Sequence, residues 1–300
     1  VSAANDFALL SENGGECAGA VTFLQPGEDF ERRDSAYRDL GETELASILR
    51  ELPTRPLLAG TKDVRLSLAG AQNKLALFYE DDRFSIPLHG APTTYIVKPA
   101  IERFEGIVEN ESFCLELSRR AGLPTASASV RQSEDISYLL VERYDRKRVA
   151  SMSVERVHQE DFCQALGLPP RLMYENEGGP TIADCFSLVR EVSDAPAPDV
   201  LSLLDSITLN YLIGNNDAHG KNFSFLYGER AGRRYARVAP LYDLVSTSVY
   251  PDLSPKMAMR IGKKYLPSEV RREQWEEMWT LCGFPTVAAR KRTLTFVRKV

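Results

Sequence analysis

Two acidic residues and one asparagine in the second half of the chain have the types and the spacing that phosphoryl transfer requires. Asp217 and Asn222 form a D-x-x-x-x-N motif on a short polar stretch, so their side chains can converge on one point. Asp243 follows after a predicted hairpin. In such an arrangement the first Asp accepts the proton of a substrate hydroxyl, while the Asn and the second Asp hold Mg²⁺ against the phosphates of ATP. A loop that only caps a helix contains similar residues, so the motif alone leaves both interpretations open.

A helix and a hairpin are predicted to hold this polar stretch in place. Apolar residues with helical spacing end at Gly214, which is typical of a helix C-terminus. Strand-like alternation at 223–227 and 234–238, with a turn at 228–232, predicts the hairpin. Because it is unfavourable to bury unpaired polar side chains between such elements, the stretch at 215–222 is expected to serve binding or catalysis.

The first half of the chain is predicted to be rich in strands. Strand-like runs at 64–68 and 74–79 flank the small residues 69–72, whose backbone amides could lie over phosphates. An ordinary hairpin is the alternative, because a single glycine makes neither a G-x-G-x-x-G nor a Walker motif. The segment TYIVKP at 94–99 predicts a buried strand that carries Lys98. This lysine either anchors an ATP phosphate or faces solvent on the other side of the strand.

A helix is predicted at 110–121, with Asn110 as its N-cap. Glu111 follows Lys98 by one strand-to-helix connection, where kinases carry the acid that pairs with the strand lysine. The helix dipole also favours a glutamate in the first turn, so Glu111 alone is not diagnostic. The predicted buried stripe of this helix comprises Phe113, Leu117 and Ala121.

Helical periodicity dominates the second half. Beyond an early helix at 41–52 with Thr43 as its N-cap, helices are predicted at 158–166, 181–192, 268–282 and 286–299. Pro196 and Pro198 are predicted to break the chain before the helix that ends at Gly214. A β-rich first half followed by a helical second half indicates an α+β protein with a cleft between its two parts.

Composition narrows the class of protein. Its 300 residues, 43% of them hydrophobic, can bury a core in one bilobal unit or two domains. The net charge of −5, with acids and bases interspersed, does not direct the chain to nucleic acid or to an anionic membrane. No membrane-spanning run or signal region is evident, the five cysteines are scattered, and the three histidines do not cluster. We therefore expect a cytoplasmic protein with buried free thiols and no structural zinc.

Eight segments, taken in order, resemble the HipA family of bacterial serine/threonine kinases, the toxin half of HipBA toxin–antitoxin pairs. The segments are RLSLAGAQNK (65–74), YIVKP (95–99), NESFCLELSRRAGL (110–123), LLVERYDR (139–146), HQEDFCQALGLPP (158–170), YENEGGP (174–180), IGNNDAHGKNFSFL (213–226) and PLYDLVST (240–247). The resemblance extends over nearly the whole chain. It implies a two-lobed, protein-kinase-like fold, with a β-rich N-terminal lobe at 1–145 and a helical C-terminal lobe at 146–300.

The resemblance also implies a role for each motif residue. Asp217 is similar to the catalytic base, Asn222 and Asp243 are similar to the Mg²⁺ ligands, and Ser67 matches the loop serine that family members autophosphorylate to switch themselves off. A dianionic phosphate beside an ATP-phosphate loop would repel the nucleotide. The residues implied to bind the nucleotide are the phosphate loop Ala69, Gly70, Ala71, Gln72, Asn73 and Lys74, the phosphate lysine Lys98, the adenine hinge Glu142, Arg143 and Tyr144, and the loop residues His219, Gly220, Lys221, Asn222, Tyr242 and Asp243.

The activity implied by the resemblance is that of an ATP- and Mg²⁺-dependent kinase toxin. Family members phosphorylate aminoacyl-tRNA synthetases and are neutralised by a HipB-like helix-turn-helix antitoxin, through which alone they reach operator DNA. The small N-terminal subdomain of the family is not evident before Val1. Some relatives encode it as a separate small protein, so this chain is expected to be either of that split kind or a trimmed form. Position 65 is arginine here. Relatives with two serines in this loop therefore have one more regulatory site than this chain. The chain also ends early, at Val300, relative to longer members.

Two other functions are compatible with parts of the sequence. A small-molecule phosphotransferase, of the aminoglycoside or choline kinase type, shares the D-x-x-x-x-N motif and the later Asp. The AGAQNK segment and Ser67 favour the protein kinase over this alternative. A non-catalytic pseudokinase used for repression is disfavoured, because Asp217, Asn222, Asp243 and Lys98 are all present.

Overall fold

A computed structural model describes residues 14–24, 27, 37–54, 56–58, 64, 66, 72–150, 153–230 and 232–300. The strands are β1 (Tyr37–Leu40), β2 (Leu75–Glu80), β3 (Arg83–Pro87), β4 (Tyr95–Pro99), β5 (Ala128–Ser133), β6 (Ile136–Glu142), β7 (Arg146–Ala150), β8 (Ser153–Arg156), β9 (His158–Asp161), β10 (Ser224–Arg230) and β11 (Arg233–Val238). The helices are α1 (Glu42–Glu51), α2 (Ile107–Arg120), α3 (Phe162–Ala165), α4 (Ile182–Val192), α5 (Pro196–Ile213), α6 (Arg272–Leu281) and α7 (Thr286–Val297). Strands dominate up to Asp161 and helices dominate beyond it, which confirms the α+β class.

The chain divides into two compact units. The first comprises Val1–Ser112 with Ser127–Gln159, and the second comprises Phe113–Ala126 with Glu160–Val300. The boundary predicted between residues 145 and 146 therefore falls inside the first unit. The assignment of functional lobes to 1–145 and 146–300 stays a prediction.

The first unit contains an antiparallel sheet in the order β1-β3-β2-β4-β6-β5. The apolar stripe of α1 belongs to its core, since Leu45, Leu49 and Leu52 are buried there. The helix begins one residue before Thr43, and its N-cap is Gly41 with an extended backbone, so the prediction of Thr43 as the cap is wrong. Glu42 and Glu44 in the first turn complement the helix dipole in place of a side-chain cap.

Strand β4 faces two different environments. Val97 is fully buried in the core cluster, and it pairs with Leu140 on β6. Because side chains alternate along a strand, Lys98 points to the opposite face of the sheet. Burial of Val97 in the core therefore determines the face of the sheet to which the Lys98 side chain points.

Helix α2 begins at Ile107, three residues before the predicted start. Asn110 consequently lies inside the helix and is not its N-cap. The predicted stripe is also wrong at Phe113, whose side chain is 67% exposed. The buried face carries Glu111, Cys114, Leu115 and Ser118. These positions follow helical spacing from Glu111, so the residue that meets Lys98 sets the rotation of the helix.

Helices of the second unit begin and end at recognisable signals. Thr181 caps α4 through a reciprocal pair of hydrogen bonds with Asp184. Pro196 is the first residue of α5, so the prediction that Pro196 and Pro198 break the chain before this helix is wrong. A proline is tolerated there because the first amides of a helix have no intrahelical acceptor. Gly214, at φ 69°, ends α5 as predicted.

A strand replaces the first turn of one predicted helix. Residues 158–161 form β9, and the helix α3 starts only at Phe162. Asp161 accepts a hydrogen bond from the amide of Gln164 and donates its own amide to the Gln164 side chain, so the helix cannot extend backward. The hairpin predicted after residue 222 is confirmed as β10 and β11, with Phe225 opposite Val238.

The five cysteines are thiols that form no disulfide, all of them within the described residues, and four of them are buried. Across the ranges of the chain that the structure describes, no helix combines the length and the apolar character needed to cross a membrane.

Candidate active site

Lys98 and Glu111 form a buried ion pair inside the first unit. The Nζ atom of Lys98 lies 2.6 Å from Oε1 of Glu111, and the two side chains are only 6% and 2% exposed. The alternative of a solvent-facing lysine is therefore wrong. Buried charges persist only when they are paired. An ammonium held in this way can bind an anionic ligand such as a phosphate.

The predicted phosphate loop is described only in part. Ser67, Ala69, Gly70 and Ala71 lie outside the residues that the structure describes. Gln72 and Asn73 are half-buried, and Lys74 is buried just before β2. The predictions for this loop stay predictions.

The predicted hinge residues follow β6 and have different surroundings. Glu142 is exposed, but its amide donates to the carbonyl of Ser127. The amide of Arg143 donates to the carbonyl of Thr94. Tyr144 donates its hydroxyl to Oε1 of Gln159 at 2.6 Å. The amides of Glu142 and Arg143 are thus already engaged and are not available as donors to adenine.

The Arg143 side chain belongs to a buried network of five charges. Its guanidinium contacts Asp145 at 2.8 Å and Glu16 at 3.1 Å. Arg146 contacts the same two carboxylates at 2.9 and 2.8 Å, and Arg156 reaches Glu16 at 3.0 Å. The network fastens the segment around Glu16 to the residues that follow β6. The Arg143 side chain is therefore structural.

Charge pairing outweighs burial in this network. Burial acts to raise the pKa of Asp145, but Arg143 and Arg146 lower it to about 2. Burial likewise acts to raise the pKa of Glu16, whereas the three arginines, led by Arg146, lower it overall. Both carboxylates consequently stay ionised at neutral pH.

Asn215 connects the two acidic positions of the second unit. Its Oδ1 accepts the amide of Asp217 at 3.3 Å, and its Nδ2 donates to the carbonyl of Asp243 at 3.4 Å. The same Nδ2 donates to Oδ1 of Asn210 at 2.8 Å, and Asn210 in turn donates to the Ser206 carbonyl inside α5. A buried amide chain thus ties the end of α5 to the backbone of both aspartates. Asn210 was not among the predicted site residues, and Asn215 was predicted only as part of the polar stretch at 215–222.

A second connection runs through Tyr242. Its hydroxyl donates to the carbonyl of Lys221 at 2.7 Å and lies 2.6 Å from the hydroxyl of Ser224. The residues preceding Asp243 and Asn222 are thereby joined. Asp243 has a φ of 52°, which is unfavourable for a residue other than glycine and is typical of functional sites.

His219 lies between the acidic groups. Burial lowers the pKa of its imidazole, while the carboxylates of Asp217 and Asp243 act in the opposite direction. Its amide donates to Oδ1 of Asn222 at 3.3 Å. The carboxylates of Asp217 and Asp243 therefore both lie near this imidazole, and Asn222 contacts the backbone of the same residue.

Lys221 and Gly220 have structural contacts in this loop. The Nζ atom of Lys221 lies 2.8 Å from Oδ2 of Asp161, the N-cap of α3. A methyl group at Gly220 would lie 2.4 Å from Cγ of Pro180, so only glycine fits there. These two residues hold the loop against its neighbours.

Tyr174 was not among the predicted site residues, although it begins the segment YENEGGP. Its hydroxyl donates to Oδ1 of Asp217 at 2.8 Å, and its ring lies edge-on to His219 with centroids 5.2 Å apart. The segment YENEGGP around it contains a short 3₁₀ turn, Glu175–Glu177. A contact across 43 residues leaves no trace in local periodicity.

The donors present suit a hard divalent cation. Asn222 and Asp243 offer an amide oxygen and a carboxylate, the ligand types that Mg²⁺ takes in kinases, usually together with water and phosphate. In the described part of the chain, no group of three or more His, Cys, Asp or Glu residues could hold a metal. The predicted pair is of a different type, because phosphate oxygens would complete the coordination.

Comparison with known proteins agrees with these motifs. A family model described as the HipA-like C-terminal domain matches residues 66–300. The protein Y4mE of Sinorhizobium fredii is 49% identical over 99% of this chain and 71% of its own length. The serine/threonine-protein kinase toxin HipA of Shewanella oneidensis is 30% identical over 95% of this chain and 66% of its own length.

The fold has a close counterpart among solved structures. The complex of HipA, HipB and operator DNA from Shewanella oneidensis contains a chain that matches all of this one with a TM-score of 0.85 and 29% identity. The match covers 71% of that chain. This chain thus spans about two thirds of the length of the relatives that it matches.

Proposed function

Because this chain belongs to the family described by the HipA-like C-terminal domain, we propose that it is an ATP-dependent protein serine/threonine kinase that acts as a toxin of a type II toxin–antitoxin system. The observation that carries the proposal is the buried Lys98–Glu111 ion pair. In kinases this pair orients the lysine toward the ATP phosphates. A purely structural role would not require a charge at this position, since apolar residues of similar size stabilise a core at least as well.

Each motif residue has a role in this proposal. Lys98 binds a phosphate of ATP, and Asp217 accepts the proton of the acceptor hydroxyl. Asn222 and Asp243 would hold Mg²⁺, which supplies charge neutralisation to the phosphates when bound. His219 and Tyr242 fix the loops that carry these groups.

The proposed substrates follow the family. The chain phosphorylates its own Ser67 and a protein target, for which an aminoacyl-tRNA synthetase is the candidate. A HipB-like helix-turn-helix protein is the proposed antitoxin, and operator DNA is reached only through it. The relative of known structure that supports this partner was solved with HipB and operator DNA.

The test is incorporation of ³²P from [γ-³²P]ATP in the presence of Mg²⁺. We expect the unmodified chain to label itself and Asp217→Ala to lose at least 99% of the rate, since a general base contributes roughly 10²–10⁴-fold. Equal rates for the two chains would refute the role of Asp217. Adding bacterial lysate distinguishes a protein kinase, which labels a protein band, from a small-molecule phosphotransferase, which labels only low-mass products.

A further inference from the structure

Tyr174 holds the predicted base at a fixed point. Its hydroxyl donates to Oδ1 of Asp217 at 2.8 Å, within the second unit. We propose that Tyr174 is a positioning residue for phosphoryl transfer, which occupies Oδ1 of Asp217 so that Oδ2 faces the acceptor hydroxyl. This inference rests on the proposed kinase function. It adds a residue from the loop at 171–180 to the catalytic machinery.

The loop is built to keep Tyr174 still. The amides of Glu177 and Gly179 both donate to the Tyr174 carbonyl, at 3.0 and 2.8 Å. A methyl group at Gly179 would lie 2.7 Å from that carbonyl oxygen and 2.8 Å from the carbonyl carbon of Met173. The loop therefore folds back on itself so closely that only glycine fits. We therefore expect the Tyr174 side chain to stay in contact with Asp217 during the reaction and not to move away from it.

The same loop is fastened directly to the polar stretch that carries Asp217. The amide of Gly220 donates to the carbonyl of Met173 at 3.4 Å. On the other side, the amide of Glu175 donates to the carbonyl of Ala258, whose own amide donates to the carbonyl of Asn216 at 2.7 Å. Backbone hydrogen bonds therefore connect the loop of Tyr174 to the chain on both sides of Asp217, directly at Gly220 and through Ala258 at Asn216.

The chemistry of the phenol suits this role. Burial and the neighbouring Asp217 carboxylate raise the pKa of Tyr174, so the hydroxyl keeps its proton and remains a donor. A carboxylate that accepts one hydrogen bond at Oδ1 has a fixed plane, which lowers the entropic cost of aligning it with a substrate.

The resulting step is balanced. The acceptor oxygen bonds to the γ-phosphorus of ATP, the bond from that phosphorus to the bridging oxygen breaks, and ADP leaves. The proton of the acceptor hydroxyl passes to Oδ2 of Asp217. Tyr174 gives up no proton and forms no covalent bond.

The test compares Tyr174→Phe with the matched control Tyr211→Phe. Tyr211 also lies in the second unit, donates one hydrogen bond, to the Pro267 carbonyl at 3.3 Å, and packs edge-on against Trp275. The full chain is incubated with Mg²⁺ and increasing [γ-³²P]ATP, and the initial rate of self-labelling gives a maximal rate and an apparent KM. We expect Tyr174→Phe to lower the maximal rate by roughly tenfold, the usual effect of one hydrogen bond to a charged group, with the KM for ATP unchanged. Tyr211→Phe should match the unmodified chain in both.

Each other outcome has a defined meaning. An unchanged or higher maximal rate for Tyr174→Phe overturns the inference, and a higher rate would make Tyr174 an inhibitory cover. Equal losses in both Phe variants, together with lower melting temperatures, would show a structural role and also overturn it. Asp217→Asn distinguishes failure of the proposed kinase function from failure of the inference about Tyr174. If Asp217→Asn abolishes labelling while Tyr174→Phe does not affect it, the kinase function stands and only the inference fails, whereas an unmodified chain that does not label itself overturns both.

Discussion

The ammonium of Lys98 lies 2.6 Å from Oε1 of Glu111 in a place where both side chains are almost fully excluded from water. The lysine comes from β4 and the glutamate from α2, and both belong to the first unit. The neighbour Val97 fills the apolar core on the opposite face of the strand. The pair is therefore part of the fold as well as a candidate phosphate anchor, and its two roles can be separated by experiment.

Removing one partner of this pair should destabilise the protein. Glu111→Gln takes away the carboxylate that balances Lys98, and breaking a buried ion pair costs roughly 3–5 kcal/mol. The double variant Lys98→Met with Glu111→Leu should recover most of this loss, because apolar side chains of similar size replace the buried charges. Urea unfolding measures the free energy in each case. The double variant should nevertheless remain unable to label itself with ³²P, and labelling by it would contradict the role of Lys98.

Asn215→Asp should weaken both stability and activity. The new carboxylate still accepts the amide of Asp217 but cannot donate to Asn210 or to the carbonyl of Asp243. An unsatisfied buried acceptor costs about 1–3 kcal/mol, which thermal or urea unfolding would detect. Because the backbone of Asp243 loses a support, we also expect a higher Mg²⁺ concentration at half-maximal self-labelling. An unchanged Mg²⁺ dependence would show that Asn215 stabilises α5 alone.

Gly214 is expected to be irreplaceable at the end of α5. An alanine would have to adopt a φ of 69°, and its methyl group would lie 2.9 Å from Cβ of Ser248 and closer still to the Ser248 hydroxyl. The left-handed conformation costs about 1–2 kcal/mol by itself. Gly214→Ala should therefore lower the free energy of unfolding by more than this amount and also reduce self-labelling.

Two other glycines serve as controls for this change. Gly232 has a φ of 72° with open space around it, so Gly232→Ala should show the backbone cost of about 1–2 kcal/mol alone. Gly41 has a φ of −73° and open space around it, so an alanine there meets neither strain nor crowding. Gly41→Ala should therefore change the free energy of unfolding only because alanine is a poorer N-cap than glycine. Equal unfolding free energies for the three variants would contradict the crowding at Gly214.

Acidification should release the stabilisation supplied by Asp145. Its pKa is about 2 in the folded protein, against 3.8 ordinarily. Because the pKa is lower in the folded protein than in the unfolded chain, the ionised carboxylate stabilises the fold by about 2 kcal/mol at pH values above its ordinary pKa. This contribution is lost as the pH falls through about 4 toward 2. Urea unfolding between pH 7 and pH 3 should show about half of it lost at pH 3.

Asp145→Asn provides the comparison for this pH dependence. The variant should have a lower free energy of unfolding than the unmodified chain at pH 7. The difference between the two free energies should become smaller as the pH is lowered. Asp135 is the matched control, since it also pairs with an arginine, Arg50, but is exposed. Asp135→Asn should change the free energy of unfolding far less, because solvent screens exposed ion pairs. A pH dependence that is the same with and without Asp145 would assign the acid sensitivity to other carboxylates.

Local patterns in the sequence determined several elements. The helix end at Gly214, the hairpin at 224–238, the helix that ends at Val192 and the strand that carries Lys98 all follow from periodicity and turn chemistry within a few residues. Such signals are local because a helical turn or a hairpin turn is decided by neighbouring residues. The motif residues Asp217, Asn222 and Asp243 were likewise found from spacing alone, although their catalytic roles stay predictions.

Tertiary structure decided which way the side chains face and which distant groups they meet. Helix α2 turns Phe113 outward because Glu111 pairs with Lys98, and amphipathic periodicity had favoured the opposite rotation. Contacts such as Tyr174 with Asp217, or Glu16 with Arg143, join residues that are 43 and 127 positions apart. Their free energy depends on burial and hydrogen-bond geometry, which exist only after the chain has folded. The sequence by itself determined several elements and the motif, and the folded chain decided which partners hold them.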